Sequence, residues 1–338
     1  MSDMNNLAVK RTRGKIVEAK HYAHICVINS NKEIIASLGD PFYYTFLRSS
    51  AKPIQALQII ISGTAERYQF TSDELALMCA SHYGEQTHIN TVLSIMKKAG
   101  ISLSEFRCGV ATSLNPQYAL ELARRGIQDS ELISDCSGKH SGMLAVCKHN
   151  AYPVTNYLDI NHPVQQENLR LISLFSEYSA DQISIGIDGC SVPVFAMPLF
   201  NMAVAFLNLA VPDQFDQETQ QACNKIFHAM NEFPFMVSGT GGFCTALMKA
   251  TKGRLIGKIG AEGVYCIALK NEKLAISLKI EDGSLTVVPS VAIHTLKQLD
   301  LLSNQEYHLL EKFHYPDILN DNGLITGQTI PDFKLNFR

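Results

Sequence analysis

The 338-residue sequence lacks tryptophan, long apolar runs and any pair of cysteines at the C-x-x-C spacing. The missing tryptophan excludes no class of function. The missing apolar runs are more informative, because no window approaches the roughly 18 apolar residues of a membrane-spanning helix. Basic residues form only short clusters, such as residues 10–13, and the formal net charge is −3. We therefore expect neither a membrane nor a nucleic acid among the partners of this protein.

The N-terminal segment MSDMNNLAVKRTRGK also lacks the apolar core of a secretory signal. Together with an odd number of cysteines, nine, this indicates reduced thiols in a cytoplasmic protein. Most of the cysteines, for example Cys26 and Cys79, stand in apolar surroundings and are expected to be small buried hydrophobes. The hydrophobic fraction of 46% and the charged fraction of 18% are typical of a globular protein.

The order of predicted elements favours an α+β fold. A β-hairpin is predicted at residues 24–38, turning at Asn31-Lys32, and a meander of three strands is predicted between residues 255 and 279. The segment between them, about 50–250, is mainly helical, and one last helix is expected after the meander. We therefore predict one unit over residues 1–338. Its antiparallel sheet is assembled from about 15–47 and 254–288 and is flanked by helices.

Ser49 and Lys52 form the first candidate pair for chemistry. Pro53 stands where the first turn of a helix tolerates proline, and residues three apart on a helix share a face. An amine at this spacing can take the proton of the hydroxyl if burial and the positive end of the helix keep it uncharged. The pattern alone is weak, since Ser94 and Lys97 repeat it on a predicted solvated helix face.

Three further clusters carry polar or thiol groups. Ser81, at the end of an apolar helix, offers a second hydroxyl, although the local sequence slightly favours a helix end with its cap. The turn at 238–242 offers backbone N–H groups to an anion. Cys136 and Cys190 each stand beside glycine and polar residues, but their spacing is not that of a zinc site, and structural thiols are the simpler interpretation.

Taken together, these segments resemble the Rhizobium-type (inducible, class 3) L-asparaginase family. The resemblance rests on five blocks in chain order: RSSAKP at 48–53, CASH at 79–82, CSGKH at 136–140, GIDGCSVP at 186–193, and SGT at 238–240 with FC at 243–244. The segment KIGAEGV at 258–264 is similar to the family as well. The blocks extend over nearly the whole chain, so their combination is much more specific than any one of them.

The resemblance implies a fold related to serine β-lactamases and penicillin-binding proteins, a homodimer, and hydrolysis of L-asparagine to L-aspartate and ammonia. It also implies roles for individual residues. Ser49 matches the nucleophile, Lys52 its base and Ser81 a hydroxyl linked to that base. The implied zinc ligands are Cys136, Lys139 and Cys190, and the implied substrate-binding residues are Arg48, His140, Asp188 and Lys258.

Three positions depart from the family pattern. Asp135 stands where asparagine is expected, Tyr83 where a small residue is usual, and Gly242 where arginine is common. The added acid is expected to alter metal affinity, and the missing arginine to alter the substrate range. Three alternatives to L-asparaginase remain open at this point: a zinc-dependent amidase in which metal-bound water attacks, a glutaminase or related amidase, and a non-catalytic amino-acid or metal sensor.

Overall fold

The computed structural model describes residues 6–338. In chain order, the strands are β1 (Leu7–Arg13), β2 (Ile16–Ile28), β3 (Ile34–Leu38), β4 (Tyr44–Phe46), β5 (Ser184–Ile187), β6 (Pro193–Pro198), β7 (Leu255–Gly260), β8 (Val264–Leu269), β9 (Leu274–Ile280), β10 (Asp317–Leu319), β11 (Ile325–Pro331) and β12 (Asn336–Phe337). The helices are α1 (Lys52–Gln55), α2 (Leu57–Ile61), α3 (Thr64–Arg67), α4 (Ser72–Met78), α5 (Gln86–Ala99), α6 (Pro116–Arg124), α7 (Ser137–His149), α8 (Pro163–Ser176), α9 (Leu199–Ala210), α10 (Gln217–Glu232), α11 (Pro234–Val237), α12 (Phe243–Thr251), α13 (Val288–Gln298) and α14 (Asn304–His314).

The main sheet is antiparallel and runs in the order β10-β11-β1-β2-β9-β8-β7, with β3 paired to β2 and β12 paired to β3. Strand β2 is long enough to serve two regions of this sheet. Its first half pairs with β1 and is mostly exposed, whereas its second half pairs with β3 and β9 and is buried. The two chain ends therefore meet through one strand.

Helices cover this sheet. Helix α9 packs against β2, β8 and β9, and helix α13 packs against β1, β8 and β11. Every residue of β8 is buried. Because successive side chains of a strand point to opposite faces, complete burial means that both faces of β8 are covered. The remaining helices, among them α4, α5, α7 and α10, pack against one another in a helical layer.

Local signals fix several of these helices. Helix α4 begins with a capping box in which Thr71 and Glu74 satisfy each other's backbone N–H groups. Helix α5 ends at Gly100, which adopts the left-handed conformation at φ 64° that glycine tolerates best. Helix α6 begins after Asn115, whose side chain accepts two backbone N–H groups.

The prediction of an α+β fold with an antiparallel sheet flanked by helices is confirmed, as are the first hairpin and the meander of β7, β8 and β9. Several details differ. The sheet also takes in residues 7–13 and 317–337, and two helices rather than one follow the meander. Strand β4 lies in a separate three-stranded sheet with β6 and β5. The late strands are short, partly exposed and polar, so their periodicity gave no clear signal.

Among residues 6–338, no helix has both the length and the apolar composition that crossing a bilayer requires.

Candidate active site

Ser49 lies in a tight 3-10 turn, Arg48–Ala51, that continues into α1. The turn begins with Arg48 in the left-handed region at φ 52°, a conformation that residues other than glycine adopt rarely. Ser49 is half-buried and lines a cavity of about 440 Å³, to which Ser81 and Asp135 also contribute. The two candidate hydroxyls therefore open into one ligand-sized space.

Ser81 lies between two buried lysines. Its hydroxyl oxygen is 3.1 Å from Nζ of Lys52 and 2.9 Å from Nζ of Lys258. Lys52 comes from α1 and Lys258 from the middle of β7, so the helical layer and the sheet converge on this oxygen. Lys258 also donates to the backbone carbonyl of Ile259 at 2.8 Å. The sequence suggested a substrate-binding role for Lys258, whereas its amine is engaged with Ser81.

Lys52 is not hydrogen-bonded to Ser49 in the described part of the chain. Its amine donates to Ser81 and lies 3.4 Å from a carboxylate oxygen of Asp135. In a 3-10 turn, residues three apart are stacked above one another, so the predicted common face is retained. The hydroxyl of Ser81 stands beside the amine of Lys52, where the family resemblance predicts a hydroxyl linked to the base.

Cys136 and Cys190, which we call the sulfur pair, lie buried next to Lys139. The amine of Lys139 donates to the sulfur of Cys190 at 3.0 Å. A hydrogen bond from Cys136 and the charge of Lys139 lower the pKa of Cys190 despite burial, while the pKa of Cys136 is raised. Burial lowers the pKa of Lys139, but the charges of Cys190, Cys136 and Asp188 outweigh it and raise that pKa.

The chemistry of the sulfur pair fits a zinc ion. Thiolate sulfur and uncharged nitrogen are the donors that zinc prefers. His140, which is completely buried, donates to or accepts from the Tyr157 hydroxyl through Nδ1, and its Nε2 has no hydrogen-bond partner among the described residues. Within residues 6–338 no group of three His, Cys, Asp or Glu side chains is arranged to hold a metal, so the amine of Lys139 would have to serve as a ligand.

The charges around Lys52 affect the protonation of its amine. Burial acts to lower the pKa of Lys52, but the negative charge of the sulfur pair and of Asp135 outweighs it, and the pKa is raised. The direction of this shift favours the charged amine, whereas the sequence predicted an uncharged one, and the role of Lys52 as a base stays a prediction. Lys258 behaves in the opposite way: burial and the charge of Lys52 lower its pKa to about 8.

Asp188 is held by Arg48. The guanidinium Nε of Arg48 donates to one carboxylate oxygen at 2.9 Å, and the backbone N–H of Gly189 donates to the same oxygen at 2.9 Å. The other carboxylate oxygen lies 3.8 Å from the sulfur of Cys190. Arg48, Asp188 and Cys190 thus form a connected polar group next to Ser49.

Tyr83 and Gly242, two of the three departures from the family pattern, are neighbours. A Cβ atom on Gly242 would lie 2.3 Å from the Ser238 hydroxyl and 3.2 Å from the hydroxyl of Tyr83. A long side chain at 242 would need the space that these two hydroxyls occupy. The missing arginine and the added tyrosine are therefore parts of one local arrangement, which the separate sequence positions did not reveal.

Gly260 brings the end of β7 against the turn that carries Ser49. A Cβ atom there would lie 2.6 Å from the backbone oxygen of Leu47. Gly260 and Ala261 line the same cavity as Ser49. Only a residue without a side chain lets this strand end approach the turn Arg48–Ala51 so closely.

Comparison with known proteins identifies the family, which the geometry alone does not. The family model described as "L-asparaginase II" matches residues 9–331.

The chain belongs to the L-asparaginase II family. None of the curated proteins with which it was compared matches it.

Two solved structures are similar to this L-asparaginase II family member at low identity. One is a β-lactamase from Mycobacterium bovis, with 12% identity, a TM-score of 0.42, and coverage of 82% of this chain and 94% of the other. The second is a Bacteroides dorei protein with a provisional β-lactamase assignment, with 13% identity, a TM-score of 0.41, and coverage of 81% and 93%. At these TM-scores the likeness carries no mechanistic weight.

Family membership supports an amidohydrolase that acts on a small molecule. The zinc ion, the homodimer, the cytoplasmic location and the roles of individual residues stay predictions. Sequence reasoning missed the apolar side of the cavity, which includes Leu114, Phe243, Leu285 and Phe313. These residues come from four distant segments, so no local pattern could have grouped them.

Proposed function

We propose that this protein is an L-asparagine amidohydrolase that forms L-aspartate and ammonia through an acyl-enzyme on Ser49. The observation that carries the proposal is the placement of the Ser81 hydroxyl between the amines of Lys52 and Lys258, in the cavity that Ser49 lines. Family membership supplies the amide class, and this arrangement supplies a route for the proton.

The proton route follows from what each amine can do. Lys52, with a raised pKa, is an ammonium that donates to Ser81 and Asp135. Lys258, with a pKa of about 8, has an appreciable uncharged fraction near neutral pH. An uncharged amine keeps two hydrogens and gains a lone pair, so it can donate to the Ile259 carbonyl and accept from the Ser81 hydroxyl. Ser81 can then take a proton from Ser49 as it passes its own to Lys258.

Acylation then follows the usual order of nucleophilic catalysis. The oxygen of Ser49 attacks the side-chain amide carbon of asparagine, and the resulting oxyanion is stabilised by backbone N–H groups near Ser49 and the end of β7. The carbon–nitrogen bond breaks as Ser81 returns a proton to the leaving nitrogen, and ammonia departs. Water attacks the ester with its proton passing along the same route, which releases aspartate and restores Ser49.

The polar group beside Ser49 would orient the substrate. Asp188, held by Arg48, presents a carboxylate to the substrate α-amino group, and His140 contributes a buried imidazole next to Cys190. Cys136, Lys139 and Cys190 would hold zinc once Lys139 loses its proton. When bound, zinc would supply a Lewis acid that orients the carboxylate of the substrate.

Ammonia release from a panel of L-asparagine, L-glutamine and a β-lactam tests the proposal. We expect turnover of asparagine and at most slow turnover of glutamine. Ammonia from glutamine but not from asparagine would replace the proposed substrate. No ammonia from any of them, combined with tight binding of asparagine, would favour the non-catalytic sensor.

A further inference from the structure

The cavity at Ser49 is larger than the proposed reaction needs. Its volume of about 440 Å³ lies within the roughly 300–1,000 Å³ of pockets that hold drug-sized ligands. Asparagine loses only ammonia when its amide is cleaved, and ammonia requires almost no room. A substrate confined to asparagine would leave most of this space to water.

The surplus space is bounded by apolar side chains. Phe243 and Phe313 approach each other with ring centroids 5.5 Å apart, and both line the cavity. Leu114 and Leu285 stand at the same cavity with 53% and 46% of their surfaces exposed. Large apolar side chains left exposed together at a cavity indicate a surface that an apolar ligand covers.

The polar group that would hold the amino-acid part of the substrate lies outside this cavity. Among the described residues, Arg48, Asp188 and Cys190 do not line it, whereas Ser49 and Ser81 do. An asparagine anchored on Asp188 with its amide carbon at Ser49 would therefore direct the amide nitrogen towards Ser81 and the apolar side. The apolar part of the cavity therefore lies where a substituent on that nitrogen would be.

Tyr83 extends this apolar side. Tyr83 lines the cavity, and its hydroxyl makes no hydrogen bond with another side chain or backbone group in residues 6–338. Gly242, whose would-be Cβ lies 3.2 Å from the Tyr83 hydroxyl, adds neither a side chain nor a charge beside this ring. The cavity thereby becomes more apolar while keeping one polar contact for the leaving group.

We infer that the physiological substrate is an asparagine derivative whose side-chain nitrogen carries an aromatic or large apolar group. This inference rests on the proposed function. The acyl transfer is the same: Ser49 forms an ester with the β-carbonyl carbon, the carbon–nitrogen bond breaks, and Ser81 delivers the proton to a departing amine instead of ammonia. Water then releases L-aspartate, so no further reactant is required.

The test compares L-aspartic acid β-anilide with L-asparagine through the same product, L-aspartate. We expect kcat/KM for the anilide to exceed that for asparagine by about tenfold or more. Phe313→Ala removes an aromatic wall, and we expect it to lower the ratio of the two kcat/KM values by about 10–100-fold. Tyr315→Ala, which changes a neighbouring aromatic residue outside the cavity, is the matched control and should leave the ratio unchanged.

The outcomes distinguish failure of the inferred substrate class from failure of the proposed function. Hydrolysis of asparagine together with slower hydrolysis of the anilide overturns the inference and leaves the proposed function intact. A ratio that Phe313→Ala does not alter, in a variant whose melting temperature shows it to be folded, also overturns the inference. If neither compound is hydrolysed, the proposed function fails and the inference with it.

Discussion

The amine nitrogen of Lys258 lies 2.9 Å from the hydroxyl oxygen of Ser81 and also donates to the carbonyl of Ile259. This contact joins the middle of β7 to the loop that follows α4. It also places a lysine with a lowered pKa beside Ser81, a hydroxyl that lines the same cavity as Ser49. The raised pKa of Lys52, on the other side of Ser81, and the lowered pKa of Lys258 are the basis of the different tasks that we propose for the two lysines.

The first prediction concerns pH. A base acts in its uncharged form, and the pKa of Lys258 is about 8, so activity should rise as the pH increases through about 8 and then level off. Lys258→Met should lower kcat by about 10²–10⁴-fold and remove that rise. The measurement is kcat against pH for both proteins.

Lys279→Met is the matched control for this profile. Lys279 lies on β9, which β8 separates from β7, and burial lowers its pKa too, but its amine donates to the backbone carbonyls of Glu262 and Ile280. A rise near pH 8 that persists in the Lys258 variant would remove Lys258 from the proton route.

The second prediction concerns substrate binding. Asp188→Asn should raise KM for asparagine by about 10–100-fold, because a hydrogen bond to a charged group is worth roughly 1.5–3 kcal/mol. Steady-state kinetics measure this effect. Glu262→Gln is the control, since that carboxylate is 69% exposed and lies 4.0 Å from the guanidinium of Arg48. Exposed ion pairs of this kind contribute little to stability. Equal effects of the two changes would contradict the assigned role of Asp188.

The third prediction concerns zinc. Purified protein should contain stoichiometric zinc by elemental mass spectrometry, and Cys190→Ser should lose most of it, since a thiolate ligand is removed. Cys223→Ser, which alters a buried cysteine on α10, should keep it. Zinc retained equally in both variants would contradict the predicted ligand set. Full activity of metal-free wild-type protein would exclude a zinc-bound water as the nucleophile.

The fourth prediction concerns the close approach of β7 to the turn that carries Ser49, Arg48–Ala51. Gly260→Ala would place a methyl group 2.6 Å from a backbone oxygen that cannot move aside easily, so we expect a loss of about 1–3 kcal/mol in the free energy of unfolding. Activity should fall as well, because the turn carries Ser49. Denaturant titration and ammonia release check both effects.

Gly14→Ala provides the comparison for this change. Gly14 lies in an open hairpin turn with no atom near its would-be Cβ, so only the strain of a left-handed residue, about 1 kcal/mol, is expected. Activity should be unaffected there. A smaller loss in the free energy of unfolding at Gly260 than at Gly14 would contradict the prediction, because it would mean that the end of β7 moves away from Leu47 easily.

Much of this arrangement could be predicted from the sequence, for identifiable reasons. The hairpin at Asn31-Lys32, the meander and the helix that stops at Gly100 depend on short-range turn and capping chemistry, which is visible locally. The residues beside Ser49 were found through ordered blocks rather than through local physics. Ser49 and Lys52 gave no more signal than Ser94 and Lys97 did.

The rest depended on distant segments meeting. The raised pKa of Lys52 follows from Asp135 and the sulfur pair, which the residues just before α7 and the loop after β5 bring to it from far along the chain. The relation between Tyr83 and Gly242, and the apolar side of the cavity, arise in the same way. Burial and neighbouring charge, which set a pKa, are properties of the folded chain and cannot be inferred from one segment.

The central claim is that Ser49 is the attacking group, and ammonia release by Ser49→Ala tests it most directly. The control is Ser94→Ala, which alters the other serine at the same spacing from a lysine. The hydroxyl of Ser94 donates to a carboxylate oxygen of Glu74. We expect the Ser49 variant to fold with an unchanged melting temperature and to lose about 10⁴-fold or more in kcat, while the Ser94 variant remains active. A folded Ser49→Ala protein that keeps most of its activity would contradict the account.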